Sequence, residues 1–302
     1  MADATISLRR RLWNSEARLA YVLILPTVLF LAAFMFYPIV YVFVMSLFRT
    51  NKLSQLTRFV GLGNFIDRLQ EREVWWAALR SLIWTASGVT VKFLAGMTIA
   101  VLLNVKYRGR KAARMAFIIP WASSVPISAL LWQWVYHPAF GLLNHTLSVT
   151  GLWPNPPGWL GAPISAFGAT MWVDIWIGIP FFALVFLAGM QAIPVELYES
   201  AHMDGAGAVR GFFSITLAGL RELILISTLL SAIWTFNDFN VIYILTRAGP
   251  ANTTNILITS VYMNAFVDLR FDWAAVQSVI TFVILAVVSL VYARFYFRQE
   301  SA

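Results

Sequence analysis

No cysteine occurs among the 302 residues, so neither a disulfide framework nor a thiolate metal site is available. There are only three histidines, His137, His145 and His202, and no two of them stand at metal-ligand spacing. No Gly-Lys pair occurs anywhere, which rules out a phosphate-binding P-loop and leaves any ATP hydrolysis to another polypeptide. Charge is scarce as well. Only 12% of the residues are charged, against roughly a quarter in a soluble domain, whereas 60% are hydrophobic. Most of the surface of such a chain does not face water. The net charge of +8 would suit nucleic acid, but the soluble basic face that such binding needs is missing. In a membrane protein, Lys and Arg collect instead in loops kept inside the cell. No nucleophile–base pair or metal constellation marks an enzyme.

What the sequence does have is long apolar runs. A spanning helix needs about 20 apolar residues. Six stretches qualify: 19–48, 78–104, 113–136, 164–190, 217–245 and 274–297. The first follows Arg9-Arg10-Arg11 as a signal peptide would, yet its run is too long for a signal core and no small-residue cleavage site closes it. It reads as a retained helix. The pattern predicts an all-α integral membrane protein of six transmembrane helices, with 1–18 as a cytoplasmic segment and 19–302 as the membrane domain. With the N-terminus inside, 13 of the 22 Lys and Arg fall on the cytoplasmic side and eight outside, and Lys92 lies within a helix. The segment 106–114 carries five of the 13 and is the clearest inside marker. An even helix count then returns the C-terminus to the cytoplasm, where Arg294 and Arg298 agree. The loop 137–163 has no Lys or Arg but holds Trp153, Trp159, Pro154, Pro156 and Pro157, which suits the outer interface.

The cytoplasmic segment 191–216 is distinct. Pro194 suits the first position of a helix, and Glu196 and Glu199 suit its early turns. Ile193, Leu197 and Ala201 recur at four-residue spacing as an apolar stripe. Gly205 can end the helix, and Asp204 is placed to cap the next one. The spacing predicts a short helix over 194–203, about 15 Å long, then a tight turn into the fifth span. An interfacial helix lying on the bilayer is the plain alternative. The polar face here is acidic, however, and anionic lipid would repel it.

Glu199-Ser200-Ala201, then Asp204-Gly205-Ala206, then Phe213, Ile215 and Leu217, resemble the EAA signature of ABC importer permeases. Ser200 stands in place of the usual alanine, and Ala218 in place of the usual proline. Phe236-Asn237-Asp238-Phe239, Leu245-Thr246-Arg247-Ala248-Gly249-Pro250, Trp176-Ile177-Gly178-Ile179-Pro180, Ile119-Pro120-Trp121, Tyr37-Pro38 and Gly61-Leu62-Gly63-Asn64-Phe65 resemble the maltose-type carbohydrate subgroup. The resemblance spans nearly the whole chain. It implies the type I importer permease fold, with 194–203 as a coupling helix that enters a cleft of a cytoplasmic ATPase. It implies as partners a second homologous permease, two ATPases that hold the ATP and Mg, and an extracellular solute-binding protein. This chain itself would carry no cofactor. Glu199, Ala201, Asp204, Gly205 and Ala206 would form the coupling set, with Glu199 meeting a cation on the ATPase. The resemblance also implies a sugar site at Trp121, Val125, Asp174, Ile177, Gly178, Ser231, Trp234, Thr235 and Asp238.

That set is chemically sensible. Carboxylates accept hydrogen bonds from sugar hydroxyls, aromatic faces stack on pyranose C–H, and Gly178 would let a ligand approach the backbone. Polar residues in spans are functional candidates by default. A second reading stands beside this one: Asp174 pairs with Lys92 to hold helices together. A mobile Lys92 would instead greet an anionic sugar. The Trp residues also suit interface anchors. An ABC permease for phosphate, a polyamine or an amino acid is the nearest rival. An ion-coupled secondary transporter would need inverted repeats and interrupted helix pairs, and no such symmetry is visible.

Overall fold

The computed structural model describes residues 15–300, with side chains from Arg18 to Arg294. Arg9, Arg10, Arg11, nearly all of the segment 1–18 and the Arg298 side chain lie outside the described residues. The first span, Arg18–Ser46, is built from α1 (Ser15–Leu31), a π-helical turn at Ala32–Phe36, and α2 (Tyr37–Ser46). A two-stranded antiparallel hairpin follows, β1 (Phe48–Thr50) with β2 (Leu56–Phe59), paired Phe48 to Phe59. It is the one sheet among the described residues, an addition to the helical plan. Next come α3 (Gly63–Leu69), the long α4 (Arg72–Asn104), α5 (Arg110–Ala122), α6 (Val125–Val135) and the short α7 (Leu142–Val149). Then α8 (Pro163–Ala192) and α9 (Val195–Met203) lead into α10 (Ala208–Gly211), a π-helical turn at Phe212–Thr216, and α11 (Leu217–Gly219). The chain finishes with α12 (Arg221–Phe236), α13 (Phe239–Thr246), α14 (Leu257–Tyr262) and α15 (Phe271–Glu300).

Among the described residues, five helical stretches are long and apolar enough to cross a membrane: Arg18–Ser46, Arg72–Asn104, Pro163–Ala192, Arg221–Thr246 and Phe271–Arg294. The expected span 113–136 is not one rod. It is α5 and α6, bent by 97° at Ser123-Ser124. Both serines are extended, with ψ of 152° and 133°. Pro120 and Pro126 flank the break. Pro126 sits in the opening turn of α6, where its missing N–H costs nothing. Ser123 Oγ bonds the Pro120 carbonyl at 2.8 Å and Ser128 Oγ at 2.6 Å, which ties the corner.

The core lies where α4 packs along α8. Val89, Met97, Ala100 and Leu103 meet Phe182, Phe186, Leu187 and Met190, and Leu220 closes the end. Lipid is as apolar as these side chains, so close packing and polar bridges, rather than the hydrophobic effect, hold such helices together. Arg68 supplies one bridge at the hairpin end. It is buried at 4% exposure, bonds Glu71, Gln277 and Ser260, and sits 4.8 Å from the Trp273 ring. The first span differs from the others. Its apolar side chains from Leu19 to Val40 face outward, and only Met45 and Ser46 at its end are buried.

Candidate functional site

The described residues enclose a cavity of about 410 Å³ between α4, the α5–α6 corner, α8 and α12–α13. That size suits a small-molecule site. All nine residues expected of the sugar site line it: Trp121, Val125, Asp174, Ile177, Gly178, Ser231, Trp234, Thr235 and Asp238. They come from three separate segments, and each is placed there by a local feature. Trp121 and Val125 straddle the 97° corner. Asp174, Ile177 and Gly178 share one face of α8. The fifth span is interrupted between Phe236 and Phe239, where the Asp238 side chain caps α13 by accepting from the Val241 N–H at 3.3 Å. Lys92, Phe181, Ile233, Asn237, Asn240 and Val241 complete the wall. Phe181 lies one helical turn beyond Gly178, so helical periodicity from Asp174 was the signal that could have found it. Asn240 stands beside the polar pair Asn237-Asp238. Ile233 and Val241 had no distinguishing signal.

Lys92 is the centre of this geometry. It is 3% exposed, and its Nζ lies 2.7 Å from both Asp174 oxygens and donates to Thr235 Oγ1 at 2.8 Å. The bond to Asp174 has hydrogen-bond geometry at Oδ1, while Oδ2 makes only the ionic contact. One ammonium thus ties α4, α8 and α12 together. The pairing reading of Asp174 is therefore correct, although Asp174 still lines the cavity. Gly178 lines the cavity and also meets a second demand. A Cβ there would stand 2.7 Å from Lys92 Cδ and Cε and 3.2 Å from Nζ, so the glycine makes room for the lysine stem. Gly178→Ala is expected to destabilise the subunit by about 1–3 kcal/mol through overpacking. A lowered melting temperature of the purified subunit checks this, and an unchanged one means that Lys92 can swing clear.

With Lys92 engaged, the remaining ligand-facing groups are of two kinds. The indoles of Trp121 and Trp234 are about half exposed, at 50% and 53%, and Phe181 packs edge-on to Trp234 at 5.1 Å between ring centres. Asp238 has no cation of its own among the described residues, and Asn237 and Asn240 stand beside it. Aromatic faces next to a carboxylate and two amides suit a polyhydroxylated ligand with apolar C–H faces.

The second expected site is α9. Its five expected residues sit together at its C-terminal half and turn. Gly205 adopts φ +79°. Its N–H bonds the His202 carbonyl at 3.0 Å, and the Ala206 N–H bonds the Ala201 carbonyl at 2.9 Å. These two bonds form a Schellman motif, which explains why a residue free to take positive φ stands between Asp204 and Ala206. Asp204 does not cap the following helix. The cap position is Gly207, and no side chain bonds there, because α10 begins only at Ala208. No residue of α9 is buried. Of the apolar stripe, Ile193 and Ala201 are half-buried while Leu197 is half exposed, and Met203 beyond it is 87% exposed. Glu196 and Glu199 form no ion pair among the described residues.

Residues 92–301 match the family described as the binding-protein-dependent transport system inner membrane component. The chain is 35% identical over 291 residues to a trehalose/maltose transport system permease of Thermococcus litoralis, covering 95% of this chain and 97% of that protein. It is 34% identical over 284 residues to a probable ABC transporter permease of Brucella suis, covering 94% and 98%. Among solved structures, a chain of a bacterial ABC transporter that imports the acidic polysaccharide alginate has the same fold. The TM-score is 0.84 at 22% identity, with 97% of this chain and 99% of that chain covered.

Proposed function

Because the chain belongs to the family of binding-protein-dependent transport system inner membrane components, we propose that it is the permease subunit through which an ABC importer passes a neutral sugar or oligosaccharide. The observation that carries the choice of cargo is the state of Lys92. An ammonium held by Asp174 and Thr235 is not free to receive an anion. Asp238, Asn237 and Asn240 then offer hydrogen-bonding partners for sugar hydroxyls. The Trp121 and Trp234 faces supply stacking surface. The trehalose/maltose permease at 35% identity supports the same reading.

In this reading both termini and α9 lie in the cytoplasm of a bacterial cell, with the hairpin 48–59 and the loop 137–163 outside. Two permeases pair about a pseudo-twofold axis, two ATPases bind below, and a solute-binding protein delivers cargo from outside. The exposed Glu199 and the apolar Val195, Leu197 and Met203 of α9 suit a cleft on the ATPase. ATP closes the ATPases, α9 moves with them, and the cavity alternates between outward and inward access.

Affinity purification of the chain from its native membrane in mild detergent is expected to bring down a soluble ATPase and a second permease. Vesicles holding that complex and the binding protein are expected to take up a neutral disaccharide when given ATP, with little competition from a uronic-acid disaccharide. Uptake driven by an ion gradient without ATP would overturn the reading. Equal competition by the acidic sugar would overturn the neutral cargo.

A further inference from the structure

We propose that Tyr198 and Thr216 form the strut that carries motion of α9 into the fifth span, which makes Tyr198 a positioning residue for coupled transport. The inference rests on the coupling role given to α9 above. The covalent route from α9 to the fifth span is poorly suited to transmit a push. It runs through Asp204–Gly207, with glycine at both 205 and 207, before the helix resumes at Ala208. Nor does α9 bear broadly on the bundle. A cavity of about 600 Å³ lies behind it, with Tyr198, Ala201 and His202 on one side and Val101, Val105 and Met190 on the other. The helix therefore stands off the ends of α4 and α8.

The contacts across the gap include an apolar one and a polar one. Ile193, just before α9, packs against Gly219, where a Cβ would come within 2.9 Å of the Ile193 side chain. The other contact is polar and comes from α9 itself: Tyr198 Oη lies 2.8 Å from Thr216 Oγ1, and either oxygen can donate. Thr216 is buried at 7% exposure and closes the π-helical turn Phe212–Thr216. That turn leads through α11 into α12, which carries Ser231, Trp234 and Thr235 to the cargo cavity. Fifteen residues of helix separate Thr216 from Ser231, about 22 Å at the usual rise. A displacement received at Thr216 is delivered along a nearly continuous helix to the site wall.

Tyr198→Phe removes the hydroxyl and keeps the ring. In the purified complex with its ATPase and binding protein, ATP hydrolysis is expected to stay within about twofold of normal. Sugar delivered per ATP is expected to fall about two- to tenfold, the range of one neutral hydrogen bond. Tyr198→Phe with Thr216→Val is expected to behave like either single variant, because both remove the same contact. A normal ratio of sugar to ATP in Tyr198→Phe overturns the strut, and so does an additive loss in the double variant. Loss of the ATPase from the purified Tyr198→Phe complex also overturns it and assigns Tyr198 to assembly. Failure of the underlying coupling role looks different: Glu199→Lys would then leave uptake intact while Tyr198→Phe is also silent.

Discussion

Gly205→Pro together with Glu199→Lys abolishes uptake while the six spans still insert. Gly205 sits at φ +79°. Proline fixes φ near −65° and has no N–H, so the bond to the His202 carbonyl disappears along with the conformation that allows it. The Ala206 bond to Ala201 depends on the same reversal of the chain. A cost of ~3 kcal/mol or more follows for the native turn. If that turn is required in the productive state, transport drops on the order of a hundredfold. Glu199→Lys acts separately, by reversing an exposed charge that makes no ion pair among the described residues and that the proposed function sets against the ATPase. Neither position touches the packed core, so membrane levels of the protein stay close to normal. The check is sugar uptake beside immunodetection of the subunit in membranes. Gly205→Ala is the graded control, because alanine tolerates positive φ at a cost of about 1–2 kcal/mol. Unimpaired uptake in the double variant would remove α9 from the transport cycle.

Lys92→Met is the second large effect. It leaves Asp174, at 8% exposure, without its cation, and truncating one member of a buried pair costs about 3–5 kcal/mol. Adding Asp174→Leu removes the stranded carboxylate and restores most of the stability, since well-packed apolar replacements of buried pairs are often neutral. Thermal unfolding of the solubilised subunit measures both steps. A double variant no more stable than the single one would show that the bridge is not the source of the loss. Uptake is expected to separate from stability: the double variant folds but transports poorly, because Lys92 and Asp174 both line the cavity.

The parts of this protein that were readable from sequence are those fixed by composition and by local periodicity. Long apolar runs located the spans to within a few residues, except that the second begins at Arg72, six residues earlier than 78. The polar Arg72 and Glu73 hid that first turn inside a continuous helix. The nine residues that the resemblance implies for a sugar site line one cavity in the fold. What sequence could not supply was geometry between distant segments. The stretch 113–136 read as one continuous span, and the 97° corner between Pro120 and Pro126 was not foreseen. Lys92 and Asp174 stood 82 residues apart with two roles open to each, and only their 2.7 Å approach decides between them. For Gly178 the sequence could not show a second demand on the missing side chain, the room taken by the Lys92 stem. The assignment of Asp204 as a cap failed for a local reason: the Schellman turn takes up two more residues before α10 starts.

The ammonium of Lys92 also has a history in time. It is synthesised 82 residues before Asp174 and 143 before Thr235. At about 5–20 residues per second the wait is ~4–16 s for the carboxylate and ~7–29 s for the hydroxyl. Through that interval a lone cation near the middle of a helix costs ~2.5–3.5 kcal/mol to keep in the bilayer. The apolar remainder of Arg72–Asn104 has to hold it there unaided. The bridge is therefore a late step in the protein's biogenesis: the second helix is made with Lys92 still unpartnered, and the fourth and fifth are gathered around it afterwards.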